Sequence, residues 1–273
     1  MLSVFGGTGF IGNQFCKMFP TKVVKIDRND RVPKTNEILY FISTVDNYNV
    51  FSDLQVDVDT NIKILCEVLQ NCKEKNITFN FISSWFVYGK TDLPAKEEYH
   101  CSPTGFYSIT KKCAEDLLIS FCKTYKINYR ILRLCNVYGV GDIKTSKKKN
   151  AIQYMIELLK NDEEVFLYDD GTPLRDLMHV NDVCSAINLV LERGELNTIY
   201  NIGSGNPIKI GHIIQEAKNM LQSKSTISSI DAPEFHNLVQ VKDFWMDTSK
   251  LKSLGFEQSI PIEVGLKMLM DTK

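Results

Sequence analysis

The chain has 273 residues, a length that is long for one compact core and short for two full domains. Its 32 basic and 33 acidic residues leave a formal net charge of −1, so the composition carries no electrostatic signature of nucleic-acid or membrane binding. No apolar stretch approaches the length of a membrane span, and no secretory signal precedes the first apolar run. We therefore expect a soluble, cytoplasmic protein.

Eight cysteines are scattered along the chain without a C-x-x-C pair. This pattern predicts buried, reduced thiols rather than disulfides, and we expect no metal site. The basic run 147–149 is interpreted as a solvated loop, with steering of a phosphate as the alternative.

Strand-like and helix-like segments alternate along the chain, a pattern typical of an α/β fold with a parallel sheet. The predicted strands are residues 2–5, 23–26, 38–43, 77–83, 129–134, 165–168 and 198–202. The predicted helices are residues 10–19, 58–75, 107–125, 151–160, 180–192 and 210–221, then a short helix capped by 247–249 and a last helix from Pro261.

This order of elements predicts a Rossmann-like, doubly wound parallel sheet followed by a small C-terminal α/β lobe. We expect the dinucleotide-binding core to comprise residues 1–145, with further core elements from 176–202, and the substrate lobe to comprise mainly 146–273. Only residues 28–37 separate the second and third strands. A parallel crossover normally needs a dozen or more residues, so the sheet should be shortened after its second strand.

Three glycines spaced three residues apart, Gly6, Gly9 and Gly12, directly follow the first predicted strand. A buried strand that leads through such a turn into a helix brings bare backbone N–H groups against a pyrophosphate, at the positive end of the helix dipole. The second predicted strand ends in Asp27, about twenty residues later, where a dinucleotide site holds the adenosine ribose hydroxyls. Together these features predict a dinucleotide site.

Tyr107 and Lys111 are four residues apart and lie on one face of the predicted helix 107–125. A nearby ammonium favours a phenolate and lowers the pKa of the phenol, as would the cationic ring of an oxidised nicotinamide. Such a tyrosine could take a proton from a carbinol while a hydride leaves, and Ser84 could donate to the same oxygen. The alternative is a surface pair on an amphipathic helix.

Several ordered motifs resemble those of the extended short-chain dehydrogenase/reductases, specifically the NAD-dependent epimerase/dehydratase family that acts on nucleotide sugars. The motifs are G-G-T-G-F-I-G at 6–12, F-I-S-S-W-F-V-Y-G at 81–89, Y-x-x-x-K at 107–111, L-R-L-C-N-V-Y-G at 132–139, D-G-T-P-L-R-D at 170–176 with H-V-N-D-V at 179–183, and Y-N-I-G-S-G at 200–205.

The resemblance implies that Tyr107 is the general acid/base, that Ser84 is the catalytic serine, and that Lys111 also holds the nicotinamide ribose. It implies NAD as cofactor, with NADP possible, since Asp27 disfavours a ribose phosphate and Arg28 tolerates one. The implied cofactor-binding residues are Gly6, Gly9, Phe10, Ile11, Gly12, Asp27, Arg28, Ile42, Ser43, Thr44, Asn61, Tyr107, Lys111 and Cys135.

The implied substrate is a nucleoside-diphosphate sugar, contacted by Ser84, Asn136 and Arg175. The Arg175 guanidinium would supply a forked donor to the diphosphate. The alternative for Arg175 is a structural ion pair with Asp176 or Asp182. His179 lies in a family motif whose usual role is packing, so we do not expect it to be catalytic. The resemblance also implies a homodimer formed through the helices 58–75 and 107–125.

The two residues after Ser84 narrow the choice of reaction. Sugar 4,6-dehydratases of this family carry Asp-Glu there, whereas this chain has Trp85 and Phe86, which cannot exchange protons. The 3,5-epimerising reductases have a cysteine where Phe86 stands. Redox at one sugar carbon remains, and we expect an NAD-dependent C4 epimerase that works through a transient 4-keto sugar.

Two alternatives stay open. The shortened sheet is reminiscent of some ketoreductases, so an NAD(P)H-dependent reductase of a 4-keto-6-deoxy sugar would use the same residues. A protein of another class, a non-catalytic NAD(P) sensor or scaffold, would have no reason to keep Ser84, Tyr107 and Lys111 together.

Overall fold

The computed structural model of the chain describes residues 1–45, 47–142 and 151–271. The basic run 147–149 lies outside these ranges, so its interpretation stays a prediction. Among the described residues no helix is both long and apolar enough to cross a bilayer.

Eleven strands and ten α-helices can be described within these ranges. The strands are β1 (Leu2–Phe5), β2 (Val23–Lys25), β3 (Glu37–Tyr40), β4 (Thr78–Ser84), β5 (Asn128–Leu134), β6 (Asn136–Tyr138), β7 (Val165–Tyr168), β8 (Leu174–His179), β9 (Thr198–Ile202), β10 (Pro207–Lys209) and β11 (Ile227–Ile230). The helices are α1 (Phe10–Met18), α2 (Gln55–Val58), α3 (Ile64–Gln70), α4 (Phe106–Tyr125), α5 (Ala151–Lys160), α6 (Val180–Arg193), α7 (Ile210–Leu221), α8 (Glu234–Val239), α9 (Ser249–Ser253) and α10 (Ile262–Met270).

A parallel six-stranded sheet, in the order β2-β1-β3-β4-β5-β9, forms the centre of the molecule. One face of the sheet packs on α1 and α6, through residues such as Val4, Phe15 and Ile187. The other face packs on α3 and α4, through residues such as Phe5 and Leu118. Because consecutive strand residues point to opposite faces, β-strands with apolar residues on both faces suit a sheet covered on both sides. The predicted α/β fold with a doubly wound parallel sheet is confirmed.

On the β2 side the sheet is shortened, as the short second connection predicts: one strand lies beyond β1, where the Rossmann order 3-2-1-4-5-6 has two. Both β2 and β3 pair in parallel with β1, and residues 26–36 cross between them without a helix or strand. Two bonds to Ser3 fix this crossing, because its Oγ accepts from the backbone N–H of Lys34 and of Thr35, each at 2.9 Å. An ion pair between Arg31 Nε and Glu67 Oε2, at 2.7 Å, ties the same segment to α3.

A second group of elements lies beyond one end of the central sheet. It contains a three-stranded sheet, β10-β8-β6, and a two-stranded sheet, β11-β7. A separate apolar cluster joins these strands to α5, α7 and α10, through residues such as Ile156, Ile214 and Leu266. The division of the chain at residues 145 and 146 stays a prediction.

The predicted helix 58–75 differs most from the structure. The helical run begins earlier, at Gln55, and α3 ends at Gln70. A π-helical turn, Asp59–Lys63, joins α2 to α3. Such single π turns inside a helix are rare and frequently accompany functional sites.

The expectation of buried, reduced thiols is only partly right. All eight cysteines are free, and five are buried, but Cys101 is half-buried and Cys66 and Cys113 are exposed on α3 and α4. Within the described ranges no group of three or more His, Cys, Asp or Glu side chains is placed to hold a metal ion.

Candidate active site

A cavity of ≈ 560 Å³ opens at the carboxyl ends of β1, β3, β4 and β5. This is where ligands bind in open parallel sheets, because the strand ends and the helix N-termini that follow them meet there. Most of the predicted site residues line this cavity: Gly6, Gly9, Phe10, Ile11, Gly12, Ser43, Thr44, Ser84, Tyr107, Lys111, Cys135, Asn136 and Arg175.

The glycine turn forms one wall of the cavity, and each glycine has a different surrounding. Gly6 has φ = +77°, a left-handed conformation that glycine adopts without strain. A Cβ on Gly12 would lie 2.4 Å from the Gly6 oxygen, so the close packing of α1 on the turn excludes a side chain there. A Cβ on Gly9 would meet only that same oxygen, at 3.5 Å, so this backbone faces open space.

These two glycines give a matched pair of variants with opposite expected results. We expect Gly12→Ala to destabilise the fold by about 1–3 kcal/mol, because the added methyl overlaps backbone. We expect Gly9→Ala to fold normally but to bind a dinucleotide about tenfold more weakly, because its methyl occupies the space before the turn. Urea unfolding and calorimetric titration with NAD would measure the two effects. A Gly9→Ala protein that binds NAD as the wild type does would contradict the expectation that the diphosphate lies in front of Gly9.

Asn61 is buried behind the cavity wall rather than in it. Its Oδ1 accepts from the backbone N–H of Thr44 at 2.8 Å and from Ser43 Oγ at 3.1 Å. Its Nδ2 donates to Thr44 Oγ1 at 2.8 Å and to Thr110 Oγ1 at 2.9 Å. Asn61, in the π-helical turn, therefore links the segment that follows β3 to α4 through hydrogen bonds. It acts on the cavity only through Ser43 and Thr44.

Three other predicted cofactor residues do not line the cavity either. Asp27 and Arg28 follow β2 and are exposed, and Ile42 is half-buried after β3. The structure thus brings the predicted diphosphate and nicotinamide residues together and leaves the predicted ribose-binding pair at the rim of the sheet. The contact of Asp27 with a ribose stays a prediction.

Lys111 is the most deeply buried charged group of the site, with 2% of its surface exposed. Its Nζ donates to the Ile82 carbonyl at 2.7 Å and lies 4.1 Å from the centre of the Phe81 ring. Burial lowers the pKa of this ammonium to about 7, against the opposing effect of Glu115. The cofactor-free protein therefore keeps Lys111 close to its titration midpoint at neutral pH.

Tyr107 lies on α4 and Ser84 on β4, and both line the cavity. Tyr107, in the first turn of α4, is 7% exposed and packs edge-on against the Phe86 ring, with centroids 5.7 Å apart. Ser84 ends β4, and its Oγ accepts from the backbone N–H of Phe86 at 3.3 Å. That bond caps the short turn Trp85–Val87 and fixes the serine at the strand end.

Arg175 is held by backbone carbonyls. Its Nη1 donates to Lys242 O at 2.5 Å and its Nη2 donates to Val241 O at 3.0 Å. The guanidinium lies 5.8 Å from the centre of the Trp85 ring. Burial lowers the pKa of Arg175 to about 10, with Asp243 acting in the opposite direction, so the group stays cationic at neutral pH.

The alternative ion pairs of Arg175 are not formed. Asp176 is bonded elsewhere, since its Oδ1 accepts from the backbone N–H and the Oγ of Ser204, at 2.8 and 2.7 Å. Asp182 Oδ2 accepts from the backbone N–H of Ile260 at 2.8 Å. His179 packs as expected, with Nδ1 accepting from the Asn181 N–H at the start of α6.

Trp85 and Phe86 form an apolar wall beside Ser84. Their rings stack with centroids 4.0 Å apart, and Trp85 packs on Phe244 at 4.6 Å. Neither side chain can act as an acid or base, so this wall offers no proton exchange at the positions that follow the serine.

Several lining residues were not predicted from the sequence. They come from the turn after β3, from α5, from β7 and from α8 with the residue that follows it: Asn47, Tyr48, Gln153, Tyr154, Tyr168, His236 and Gln240. The Tyr48 hydroxyl and His236 Nδ1 are 3.3 Å apart, which joins two segments separated by most of the chain. No local motif marks these residues, because only the tertiary fold brings them to the cavity.

The fold and this cavity define the class of protein. A model of the NAD-dependent epimerase/dehydratase family matches residues 30–203, and the chain belongs to this family.

Three relatives illustrate the similarity. The chain is 28% identical over 242 residues to a trifunctional UDP-glucose 4,6-dehydratase/UDP-4-keto-6-deoxy-D-glucose 3,5-epimerase/UDP-4-keto-L-rhamnose-reductase of Arabidopsis thaliana, in a match that covers 86% of this chain and 35% of that protein. It is 25% identical to a putative UDP-glucose 4-epimerase of Methanocaldococcus jannaschii, covering 99% of this chain and 97% of the relative. The UDP-glucuronic acid 4-epimerase of Bacillus cereus, solved with UDP-glucuronic acid and NAD, superimposes with a TM-score of 0.86 at 22% identity, covering 99% and 98% of the two chains.

Proposed function

We propose that this chain is an NAD-dependent nucleotide-sugar C4 epimerase that works through a transient 4-keto sugar. The observation that carries the proposal is the convergence of Ser84, Tyr107 and Lys111 on the cavity that the glycine turn and Arg175 also line. The family membership and the names of the relatives support the same class of substrate.

The site fits a dinucleotide. The open space in front of Gly9 and the N-terminus of α1 would hold the diphosphate, with Phe10 and Ile11 beside it. Lys111, on the opposite wall, would hold the nicotinamide ribose. A bound nicotinamide supplies hydride acceptance and return.

The side chains of this protein would manage the proton. Tyr107 takes the proton of the C4 hydroxyl as the sugar is oxidised and returns it on reduction. Because Ser84 Oγ accepts from the Phe86 N–H, the serine's own hydrogen can be donated to the sugar oxygen. The ammonium form of Lys111 lowers the pKa of the Tyr107 phenol. The ring stack of Trp85 and Phe86 lacks the acid and base that elimination at a neighbouring carbon would need.

Arg175 would bind the diphosphate of the nucleotide sugar. We expect Arg175→Met to raise KM about 10- to 100-fold with a smaller change in kcat, since it removes charge-assisted hydrogen bonds made in both ground state and transition state. Arg175→Lys keeps the charge but loses the forked pair of donors, so its KM should lie between those of the wild type and Arg175→Met. Steady-state kinetics with the best substrate would measure the effect, and an unchanged KM in both variants would contradict the assignment.

Identification of the bound cofactor tests the proposal directly. The protein would be purified, denatured, and the released nucleotide identified, and then UDP-, dTDP- and GDP-hexoses would be screened for C4 inversion. Stoichiometric NAD together with inversion of one of these sugars would support the epimerase. An empty site that binds only added NADPH, with reduction of a 4-keto sugar, would support a ketoreductase instead. The exposed Arg28 beside Asp27 and the short segment 26–36 are the features that favour this second function.

We also infer that two copies of the chain associate through α4. Three exposed apolar side chains share one face of this helix, each 37–47% accessible: Phe106, Ile109 and Leu117. Such a stripe on a soluble protein is typical of an interface. Leu117→Glu should convert a dimer to a monomer in sedimentation analysis, whereas the exposed Lys123→Glu on the same helix should not. A wild-type monomer would overturn the inference.

A further inference from the structure

Three charged side chains form a buried row behind the cavity: Lys111 and Glu115 on α4, and Arg133 on β5. Glu115 lies one helical turn after Lys111 and is 1% exposed, and Arg133 is 2% exposed. Arg133 binds the Glu115 carboxylate with both arms of its fork, Nη2 to Oε2 at 2.8 Å and Nε to Oε1 at 3.1 Å. Charges alternate along the row, positive, negative, positive.

Glu115 acts on Lys111 through its charge rather than through a bond. Both carboxylate oxygens accept from Arg133, and the Lys111 ammonium donates to the Ile82 carbonyl. Arg133 is in turn fixed by a bond from Nη1 to Glu97 O at 3.2 Å and by the Tyr88 ring, 4.7 Å away. The carboxylate is therefore held in one place and shared between two cations.

We propose that the Glu115–Arg133 pair positions and sets the charge of Lys111, with Glu115 favouring the ammonium form and Arg133 limiting that effect. Its consequence for turnover rests on the proposed role of Tyr107, but its consequence for the titration of Lys111 does not. Neither residue touches the cavity, so both act through Lys111.

The surroundings of Lys111 give the direction of each effect. On α4, Tyr107 and Glu115 lie one helical turn before and one turn after Lys111. From β4 the Ile82 carbonyl and the Phe81 ring contact its ammonium, and from β5 Arg133 is linked to it only through Glu115. Glu115 is the acidic group that favours its protonated form. Removing this carboxylate alone leaves Lys111 beside an unopposed guanidinium, whereas removing the guanidinium alone leaves the full carboxylate charge to act on Lys111.

Opposite shifts in the titration of Lys111 test the proposal. The free energy of unfolding would be measured by urea titration between pH 4 and 10, because a lysine of lowered pKa makes stability rise with pH above that pKa. Glu115→Gln should move the onset of that rise about 1–3 pH units lower, and Arg133→Met should move the onset higher. The double variant should return toward the wild type. If Arg133→Met fails to fold because it buries an unpaired carboxylate, Glu115→Gln and the double variant still carry the comparison.

Two controls separate this effect from a structural one. The shift caused by Glu115→Gln should vanish in a Lys111→Met background, and Asp116→Asn, which removes an exposed carboxylate on the same helix, should cause none. The alkaline limb of kcat should move with the stability curve in Glu115→Gln. Equal curves for wild type and Glu115→Gln, or shifts of the same sign in both single variants, would overturn the proposal. A moved stability curve with no turnover in any protein would instead count against the proposed function.

Discussion

Replacing Tyr107 by Phe should lower turnover of a nucleotide sugar by about 10²–10⁴ while the protein stays folded and still binds its ligands. The change removes one oxygen atom from a side chain that lines the same cavity as Ser84 and Lys111, and it leaves the ring packing on Phe86 in place. Without the phenol, the C4 hydroxyl loses the acid/base that the proposed mechanism assigns to it. Rates of sugar inversion, with binding of NAD and of the nucleoside diphosphate measured in parallel, check the result.

A matched phenol elsewhere provides the control. Tyr129 on β5 is buried and does not line the cavity, so Tyr129→Phe should keep the wild-type rate. Wild-type turnover in Tyr107→Phe would refute the proposed acid/base role. A non-catalytic sensor would show no turnover in the wild type or in the two variants.

Lys111→Met should abolish most turnover, by about 10² or more, and should also flatten the dependence of stability on pH. The pKa of Lys111 is lowered by burial to about 7, below its value in the unfolded chain. Between these two values the unfolded chain binds more protons than the folded one, so the free energy of unfolding of the wild type rises with pH. Below pH 7 the cost of burying the ammonium is fully present, of the order of a few kcal/mol.

The comparison of Lys111→Met with the wild type therefore has a defined sign. The variant should gain stability relative to the wild type at pH 6 and lose that advantage by pH 10, as shown by urea unfolding at each pH. Lys112→Met is the control, because Lys112 is partly exposed and paired with Asp116. A difference between Lys111→Met and wild type that does not change with pH would show that Lys111 titrates normally.

Most strands of the central sheet were predictable because their residues are buried on both faces; the edge strand β2 is the exception to this burial. Continuous apolar runs such as Leu2–Phe5 are typical of strands in a covered parallel sheet, and the structure has this strand with the same bounds. The helices α5 and α7 and the strands β7 and β9 also have the predicted bounds.

Apart from β7, the strands of the smaller sheets (β6, β8, β10 and β11) were not predicted, since they lack such runs. β6 and β10 have three residues each, and β8 contains Arg175 and Asp176 within its six. The start of the helical run at Gln55 does have a signal in the sequence, the acidic residue Asp53. Its carboxylate accepts from the Gln55 N–H at 2.9 Å. An acidic residue before a helical pattern is a common start signal.

Sequence motifs located the chemistry of the site better than its outer wall. Tyr107 and Lys111 were found because helical spacing fixes which side chains share a face. Tyr48 and His236 were not predicted, because 188 positions separate them and their contact depends on how two distant segments pack together. Asn61 was predicted to contact the cofactor directly, but its amide bonds to residues behind the cavity wall. A motif does not reveal whether an amide faces a cavity or the residues behind it.

The stacking of Trp85 at the cavity wall gives the protein an internal optical reporter. The chain has only two tryptophans, and the other, Trp245, does not line the cavity. Trp85 lies between Phe86 and Phe244 with the Arg175 guanidinium near its ring, so a ligand that engages this arginine changes the electric field at one of two indoles. Occupancy of the site can thus be followed by intrinsic emission, with no label attached and no reaction required.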